Sequence, residues 1–456
     1  MNVTLVNHAS IFIEDNDIGF LTDPWFFGEV FNESWGLEFE TPKSTIDKVL
    51  EKTTHIYISH EHPDHLHFPT LKNIVNKFKN NINLYIQDLP RKEVRDVLTK
   101  IGFKNIIEVK HREFIELNSF SRIYLYSVFP VDSACCYIKN ENSKTTTILN
   151  LNDTDLCKYD LKKIKKDLPK INILFNQFSF ATYNGNPDYI NETRRNRDEL
   201  INSYIYEQEF FKPNISIPFA SFSYFCTPDN KILNKYKTNL VELRKKLLEK
   251  KLQSKILLPG QLIDVNNIER FNETKLELIE KLKKPFKEVN QPKTSIEDLF
   301  TSFYKCHDHL RSRYPKFLIN FLGDFNVYCF DINQRINFNF RNKKITKINK
   351  NIKEDLKTYS QPLFYAFANS WGMNSLTIGG RLILYKKQKK FMFLRVLLAL
   401  ANSNMNFRFN KSSKTTYSYL FINFERCFFQ ILARLQSAIF YTEEFNSSLK
   451  KTINKT

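Results

Sequence analysis

The chain has 456 residues, of which 42% are hydrophobic and 26% are charged, a composition typical of soluble globular proteins. This composition excludes a mainly disordered chain, a collagen-like chain and a small disulfide-rich domain. Lys and Arg outnumber Asp and Glu by 68 to 49, which gives a net charge of +19 and favours anionic partners such as phosphates, nucleotides or acidic lipids.

The sequence also carries information about the compartment. Seven Cys without regular spacing argue against the disulfide framework of a secreted protein. The first residues, MNVTLVNHAS, do not have the pattern of a signal peptide, and no run reaches the ~20 apolar residues of a spanning helix. We therefore expect a cytoplasmic protein.

Short strands alternate with helices over the first 270 residues, which predicts a layered α/β domain. The predicted strands cover residues 3–6, 11–13, 18–21, 55–58, 84–86, 123–128, 136–138 and 146–149. The predicted helices cover residues 69–79, 91–100 and 240–251 in this part, and residues 275–284 directly after it. Pairs of strands near the start, followed by strand–helix units, support this layered α/β domain.

A boundary region follows at residues 283–295, where KKPFKEVNQPKTS carries two Pro and several charges. We predict a metal-binding catalytic domain over 1–285, a smaller α+β unit over 286–385 and a basic, Phe-rich helical tail over 386–456. The second unit has strand patterns at 327–332 and 336–340, and the segment 376–384 closes it.

The tail is strongly basic and has apolar residues at helical spacing. These residues are Phe421, Phe424, Phe428, Ile431, Leu432, Leu435 and Ile439. The pattern favours helices that pack on the main domain. An interfacial helix on an anionic membrane surface and a phosphate-binding patch are the alternatives, and we do not expect nucleic acid as a partner.

The strongest chemical motif lies in residues 55–70, HIYISHEHPDHLHFPT. An apolar strand leads into four potential metal ligands, and a helix follows. The four residues are His60, His62, Asp64 and His65. Imidazole and carboxylate ligands together suit zinc, iron or manganese. A His-rich surface turn is the weaker interpretation, because four of the nine His in the chain lie at positions 60, 62, 65 and 67.

H-x-H-x-D-H is the signature of the metallo-β-lactamase-fold superfamily, which the chain resembles. More narrowly, the chain resembles the catalytic part of the CMP-N-acetylneuraminate hydroxylases and their bacterial relatives, over about residues 1–385. Besides the motif, the segments behind this resemblance are NHAS at 7–10, TDPW at 22–25, VDS at 131–133, LNLND at 149–153, NQFS at 176–179, IPFA at 217–220, PG at 259–260 and WG at 371–372 with LTIG at 376–379.

The resemblance implies a four-layer αβ/βα sandwich that binds two divalent metal ions, either iron or zinc. It implies that His60, His62, Asp64 and His65 form the first ligand group and that Asp153 bridges the two metals. Asp132 stands where the wider superfamily has a His. The last His of the superfamily aligns with Thr227, a poor ligand, so Asp229, Asp155 or water would have to complete the second metal site.

Four further residues are weaker candidates for the pocket or for supporting contacts. His8 is expected to help build the pocket or to be a satisfied core His, and Asp23 to orient a metal-bound His through its other ring nitrogen. Gln177 and Ser179 lie in a polar stretch after a buried strand, where pocket residues are common.

Two enzymatic functions remain open. The first is a dinuclear-iron hydroxylase of a nucleotide-linked or other anionic sugar. The sequence has no C-x-H followed by C-x-x-H, the pattern of a Rieske centre, so a separate Rieske or ferredoxin-type protein would supply the electrons. The second is a zinc hydrolase of an ester, amide or phosphodiester, in which Asp64 holds the attacking water or takes its proton. A binding protein on a decayed enzyme fold is a third interpretation.

Overall fold

The computed structural model describes residues 1–78, 82–89, 92–128, 132–180, 189–349, 351–369 and 371–402. The first sheet has seven strands, in the order β15-β1-β2-β3-β5-β6-β7. The elements from the N-terminus to the end of this sheet's parallel part are β1 (Asn2–Asn7), β2 (Ser10–Asp15), β3 (Ile18–Thr22), β4 (Trp35–Leu37), α1 (Lys43–Lys52), β5 (His55–Tyr57), α2 (Phe68–Phe78), β6 (Asn83–Gln87), α3 (Glu93–Ile101) and β7 (Asn105–Val109).

The second sheet has six strands, in the order β13-β12-β11-β10-β9-β8. Its elements and those that follow them are β8 (Glu113–Glu116), β9 (Ser121–Val128), β10 (Asp132–Glu141), β11 (Lys144–Asn150), α4 (Lys158–Asp167), β12 (Ile173–Gln177), α5 (Tyr189–Phe211), β13 (Ile215–Phe219), β14 (Ser223–Phe225), α6 (Leu240–Glu249), β15 (Leu262–Asp264) and α7 (Leu276–Leu282). β14 pairs with β4 in a small separate ribbon.

Both sheets change from antiparallel to parallel. In the first, β1, β2 and β3 are antiparallel neighbours, whereas β3, β5, β6 and β7 are parallel. In the second, β8 to β11 are antiparallel, and β11, β12 and β13 are parallel. Parallel neighbours need a crossover, and each of the five parallel pairs has a helix in its connection, from α1 between β3 and β5 to α5 between β12 and β13.

The two sheets pack face to face and carry helices on their outer faces. Alternate residues of one strand point to opposite faces, so Ile11 and Ile13 join the core between the sheets, while Phe12 faces the helices. Leu71 and Leu98 of α2 and α3 cover the first sheet, and α4 covers the second. This helix–sheet–sheet–helix arrangement confirms the predicted four-layer sandwich.

The remaining described elements form a second hydrophobic cluster. They are α8 (Ile296–Arg313), α9 (Lys316–Leu322), β16 (Asp324–Cys329), β17 (Gln334–Asn339), β18 (Lys344–Lys347), β19 (Leu356–Thr358), α10 (Ser360–Ala368), α11 (Gly372–Ile378), β20 (Leu382–Leu384) and α12 (Gln388–Asn402). The strands form a five-stranded sheet in the order β18-β17-β16-β19-β20. α12 packs on this cluster through Phe391, Leu394, Leu397 and Leu398.

One sequence prediction here needs correction. The segment 376–384 was expected to close the unit, but only Leu382–Leu384 is a strand, and its first part belongs to α11. Met373 and Leu376 of α11 are buried in the second cluster, so tertiary packing overrides the strand preference of the Leu-Thr-Ile run. The predicted division of the chain at 285 and 385 stays a prediction.

The second cluster is joined to the sandwich by buried polar contacts. The side-chain amide of Asn230 donates to the carbonyl oxygens of Ser34 (3.0 Å) and Gly379 (2.7 Å). Arg381 Nε donates to Asp229 Oδ2 at 2.7 Å. These contacts hold the loop that follows β14 between the two units.

The predicted apolar positions from Phe421 to Ile439 lie outside the described residues. Helical packing or membrane contact of this tail therefore stays a prediction. Within the described residues, no helix has the length and apolar character needed to cross a membrane.

Candidate metal centre

The candidate ligands come from loops at one edge of the sandwich. The H-x-H-x-D-H motif follows β5, Asp132 begins β10, and Asp153 follows β11. β10 and β11 are antiparallel, so the start of the first and the end of the second lie at the same edge. The carboxyl end of β5 meets them there, because Tyr57 Oη lies 2.5 Å from Ser133 Oγ.

The first group of potential ligands consists of His60, His62 and Asp132, whose ligand atoms all lie within 4.8 Å of one another. His60 Nε2 is 2.7 Å from His62 Nδ1 and 3.8 Å from Asp132 Oδ1. His60 is buried, whereas His62 and Asp132 are half-buried. The group is therefore open to solvent on one side.

The second group consists of His60, His65 and Asp153. Asp153 Oδ2 lies 3.8 Å from His60 Nε2 and 3.5 Å from His65 Nε2. Asp153 thus stands between the imidazoles of both halves of the motif. This is the position that the predicted bridging role requires.

The third group consists of His8, Asp64 and His65, and all three are buried. Asp64 Oδ2 lies 3.3 Å from His65 Nε2 and 3.3 Å from His8 Nε2. His8 occupies the two-residue turn between β1 and β2, where its φ is 42°. Positive φ is unfavourable for residues other than Gly, and such strain often accompanies functional sites.

A network of buried polar residues holds His65 in place. Asp23 Oδ2 accepts from Ser59 Oγ (2.8 Å) and from the side-chain amide of Asn152 (3.1 Å), and it lies 3.1 Å from His65 Nδ1. Asp23 Oδ1 accepts from the backbone amide of Ser59. The Asp23–His65 contact is the one that the predicted orienting role requires.

The charges of the site are strongly coupled. Burial disfavours a charged imidazole, but the carboxylates of Asp64, Asp153 and Asp23 raise the pKa of His65 well above its ordinary value. Burial, helped by the positive charge of His65, lowers the pKa of His60 well below its ordinary value.

The carboxyl groups respond in different ways. Burial and the negative charge of Asp153 raise the pKa of Asp132 well above its ordinary value. Burial opposes ionisation of Asp64 and Asp153 too, but His65 holds the pKa of both below the usual range. The buried acidic groups therefore differ, because His65 favours the charged form of Asp64 and Asp153 while burial beside Asp153 disfavours that of Asp132.

These residues fit divalent metal ions. Among the described residues, Asp64 Oδ1, Asp153 Oδ1 and His65 Nε2 are buried and have no hydrogen-bond partner, and unsatisfied buried polar atoms are costly. Three carboxylates crowd one small site, which is unfavourable without a cation to offset their charge. Metal ligation needs neutral imidazole, so a bound cation would displace the proton of His65.

The other predicted site residues lie in different surroundings. Ser179 is buried, and its hydroxyl accepts from the backbone amide of Thr238 at 3.0 Å. Its own backbone amide donates to Ser221 Oγ, so the structure places Ser179 in a network that fixes loops. Gln177 ends β12 and is half-buried.

The structure places Thr227, and the two residues proposed to complete the second site in its stead, outside all ligand groups found among the described residues. Thr227 is buried. Asp229 is engaged by Arg381, and Asp155 is exposed.

Sequence reasoning missed three supporting residues. Ser59 and Asn152 contact Asp23, and Ser133 Oγ donates to the carbonyl oxygen of Ser59 at 2.7 Å. Each stands directly beside a candidate ligand in the sequence. That adjacency was the available signal, but it does not reveal which way a small polar side chain points.

Comparisons with known proteins agree with this geometry. Residues 2–113 match the family model described as "Beta-lactamase superfamily domain". The chain is 34% identical over 141 residues to the cytidine monophosphate-N-acetylneuraminic acid hydroxylase of Asterias rubens, which covers 30% of this chain and 21% of that protein. It is 24% identical over 254 residues to the hydroxylase of Mus musculus, which covers 52% of this chain and 42% of that protein.

The matched segments thus span less than half of these relatives. A solved structure of a metallo hydrolase from Ignicoccus hospitalis aligns with 57% of this chain and 97% of its own, at 17% identity and a TM-score of 0.41. The resemblance to the metallo-β-lactamase-fold superfamily and to the catalytic part of the sialic-acid hydroxylases, predicted from the sequence, is confirmed.

Proposed function

We propose that this chain is a metal-dependent hydroxylase that acts on a nucleotide-linked or other anionic sugar at a pair of iron ions. The observation that carries the proposal is the convergence of four imidazoles and three carboxylates in overlapping groups at one edge of the sandwich. A ligand set this rich in oxygen suits iron. The similarity to named hydroxylases supports the same choice.

In this proposal the ligand roles divide between two metal positions. His60, His62 and Asp132 hold one ion, Asp64 and His65 hold the other, and Asp153 lies between them. When bound, the iron pair supplies the activation of dioxygen.

The protein positions its ligands and controls the access of water. Asp23 and Ser59 fix the ring of His65 from behind. His62, Asp132 and Asp153 line the half-buried side of the site, where a sugar can approach. We assign Asp64 as the group that accepts a proton, because its Oδ1 accepts no hydrogen bond from the described residues.

Substrate class and electron source follow from charge and composition. A net charge of +19 favours the approach of a phosphorylated substrate, and the named relatives act on a cytidine monophosphate-linked sugar. The sequence has no C-x-H followed by C-x-x-H, the pattern of a Rieske centre. Its adjacent Cys306 and His307 lie on α8, where His307 Nε2 is 2.9 Å from the carbonyl oxygen of Phe340. We therefore expect electrons from a Rieske or ferredoxin-type centre outside these 456 residues.

A zinc hydrolase is the second candidate. The position of Asp64 favours it, because a carboxylate oxygen without a hydrogen-bond partner inside a ligand group is suited to hold water or take its proton. Hydrolysis needs no electrons, so no partner protein is required.

Metal content separates the two candidates. The untagged chain would be purified without oxygen or chelator and measured by elemental mass spectrometry. Two irons per chain, followed by dioxygen uptake with CMP-N-acetylneuraminate and a reduced ferredoxin, would support the hydroxylase. Zinc together with cleavage of esters or phosphodiesters would support the hydrolase, and iron-loaded protein that is silent across sugar nucleotides would refute the first proposal.

A further inference from the structure

The second metal position has too few imidazoles if only the sequence motifs supply its ligands. Asp64 and His65 come from the motif, and Asp153 is shared with the first position. The sequence places Thr227 where a further His would stand. Thr227 lies outside every ligand group of the described residues, and the nearby Asp229 is held by Arg381 at 2.7 Å.

The structure brings a different imidazole to this position. His8 is 56 residues away from Asp64 in the sequence, yet its Nε2 lies 3.3 Å from Asp64 Oδ2. The rings of His8 and His65 are 6.2 Å apart, centroid to centroid. Both imidazoles thus present Nε2 to the same carboxylate oxygen, from different sides.

We propose that His8 is a direct ligand of the second metal position, where it replaces the imidazole that Thr227 cannot provide. The proposal rests on the proposed metal-dependent function. It gives the second position two imidazoles and two carboxylates, Asp64 and the shared Asp153, which matches the two imidazoles and two carboxylates of the first. Four such ligands are enough for zinc or for a site with open positions on iron.

The surroundings of His8 hold its ring ready for this role. The carbonyl oxygen of His8 accepts from the backbone amide of Ala220 at 2.8 Å, and the side chain of Asn7 donates to Thr41 and to the carbonyl oxygen of Phe39. Trp25 packs edge-on against the ring at a centroid distance of 5.2 Å. Because these contacts already hold the turn and the ring, His8 loses little side-chain freedom when its Nε2 binds a metal ion.

The backbone of His8 argues against a purely structural role. His8 keeps a positive φ of 42° in a turn where Gly or Asn would be less strained. Its Nδ1 is buried and has no hydrogen-bond partner among the described residues, so the contact between Nε2 and Asp64 is the polar contact that positions the ring.

The decisive variant is His8→Gly in the full chain. Gly adopts a positive φ without strain, so this substitution removes the imidazole and leaves the turn able to form. Asn16→Gly is the matched control, because Asn16 has a φ of 52° in the equivalent turn between β2 and β3. The apo forms of both variants would first be compared with wild type by circular dichroism and thermal unfolding.

Each apo protein would then be titrated with Co²⁺, whose visible spectrum reports the ligands. We expect two bound ions for wild type and Asn16→Gly. We expect one tightly bound ion for His8→Gly and a second weakened by at least about tenfold, with a changed cobalt spectrum that added imidazole restores.

Two unchanged affinities in folded His8→Gly would overturn the proposal and leave the proposed function standing. A wild-type chain that binds a single ion would also overturn it, because the second position would then be unused. Wild type that binds no ion at all would refute the metal-dependent function itself, together with this inference.

Discussion

The buried ion pair between Arg381 and Asp229 provides a quantitative test of how the two units are joined. The Arg381 side chain is 1% exposed and that of Asp229 is 5% exposed, with Nε and Oδ2 2.7 Å apart. Arg381 Nη1 also donates to the neutral side chain of Gln291 at 2.8 Å. Asp229→Ala therefore leaves a buried guanidinium without a counter-charge, which typically costs about 3–5 kcal/mol.

The expected result is a large loss of stability that depends on the partner residue. For a chain of this size, the loss corresponds to a fall in Tm of about 3–5 °C. Asp229→Ala combined with Arg381→Met should lose less than Asp229→Ala alone, because no charge then remains buried. Urea unfolding followed by circular dichroism gives the coupling free energy of this double-mutant cycle.

Metal content of Asp229→Ala is the second readout. It should match wild type, because Asp229 belongs to none of the ligand groups found in the described residues. If the losses of unfolding free energy in the two single variants add up to the loss in the double variant, the coupling free energy is zero and the reasoning about the ion pair is refuted. Loss of one metal ion in Asp229→Ala would instead show that Asp229 serves the second metal position.

Three further predictions follow from local contacts. Asp23→Ala removes the acceptor beside His65 Nδ1, so metal affinity measured by titration should fall about 10–100-fold; unchanged affinity would contradict the orienting role. Burial raises the pKa of Glu207 from 4.5 to about 8. The buried neutral form therefore contributes fully to the free energy of unfolding below pH 4.5, and this contribution is lost as the pH rises through 8. Glu207→Gln should therefore remove a loss of stability on the order of 5 kcal/mol between those pH values in urea unfolding. The same slope in the variant would exclude Glu207 as its source. A methyl group at Gly379 would lie 2.5 Å from the carbonyl oxygen of Ser375 and 2.7 Å from the hydroxyl of Ser34. Gly379→Ala should therefore lower the free energy of unfolding by about 1–3 kcal/mol. A Tm equal to that of wild type would show that the neighbouring atoms move aside at little cost.

Sequence patterns determined much of the fold and the core of the site. The apolar run of Ile11, Phe12 and Ile13 was enough to predict a strand, and the structure places these residues in β2, where neighbouring side chains point to opposite faces. The motif from His60 to His65 was equally informative, since its residues are neighbours in the chain and the loop that carries them is short. The Leu-Thr-Ile run at 376–378 led to a wrong strand prediction, because the local strand preference of these residues is overridden by tertiary packing.

Contacts between distant loops were decided only by the tertiary structure. Asp132 and Asp153 entered the prediction through a resemblance, and nothing in their own neighbourhoods fixes their distance from His60. The sequence shows His8 near the first strand, but not that its Nε2 lies 3.3 Å from Asp64. The sequence offers Asp229 as a candidate ligand, but it does not show that Arg381, 152 residues later, forms an ion pair with Asp229. Such contacts depend on how the sheets stack and where their loops end, and this is fixed by packing across the whole molecule, which no local pattern of residues encodes.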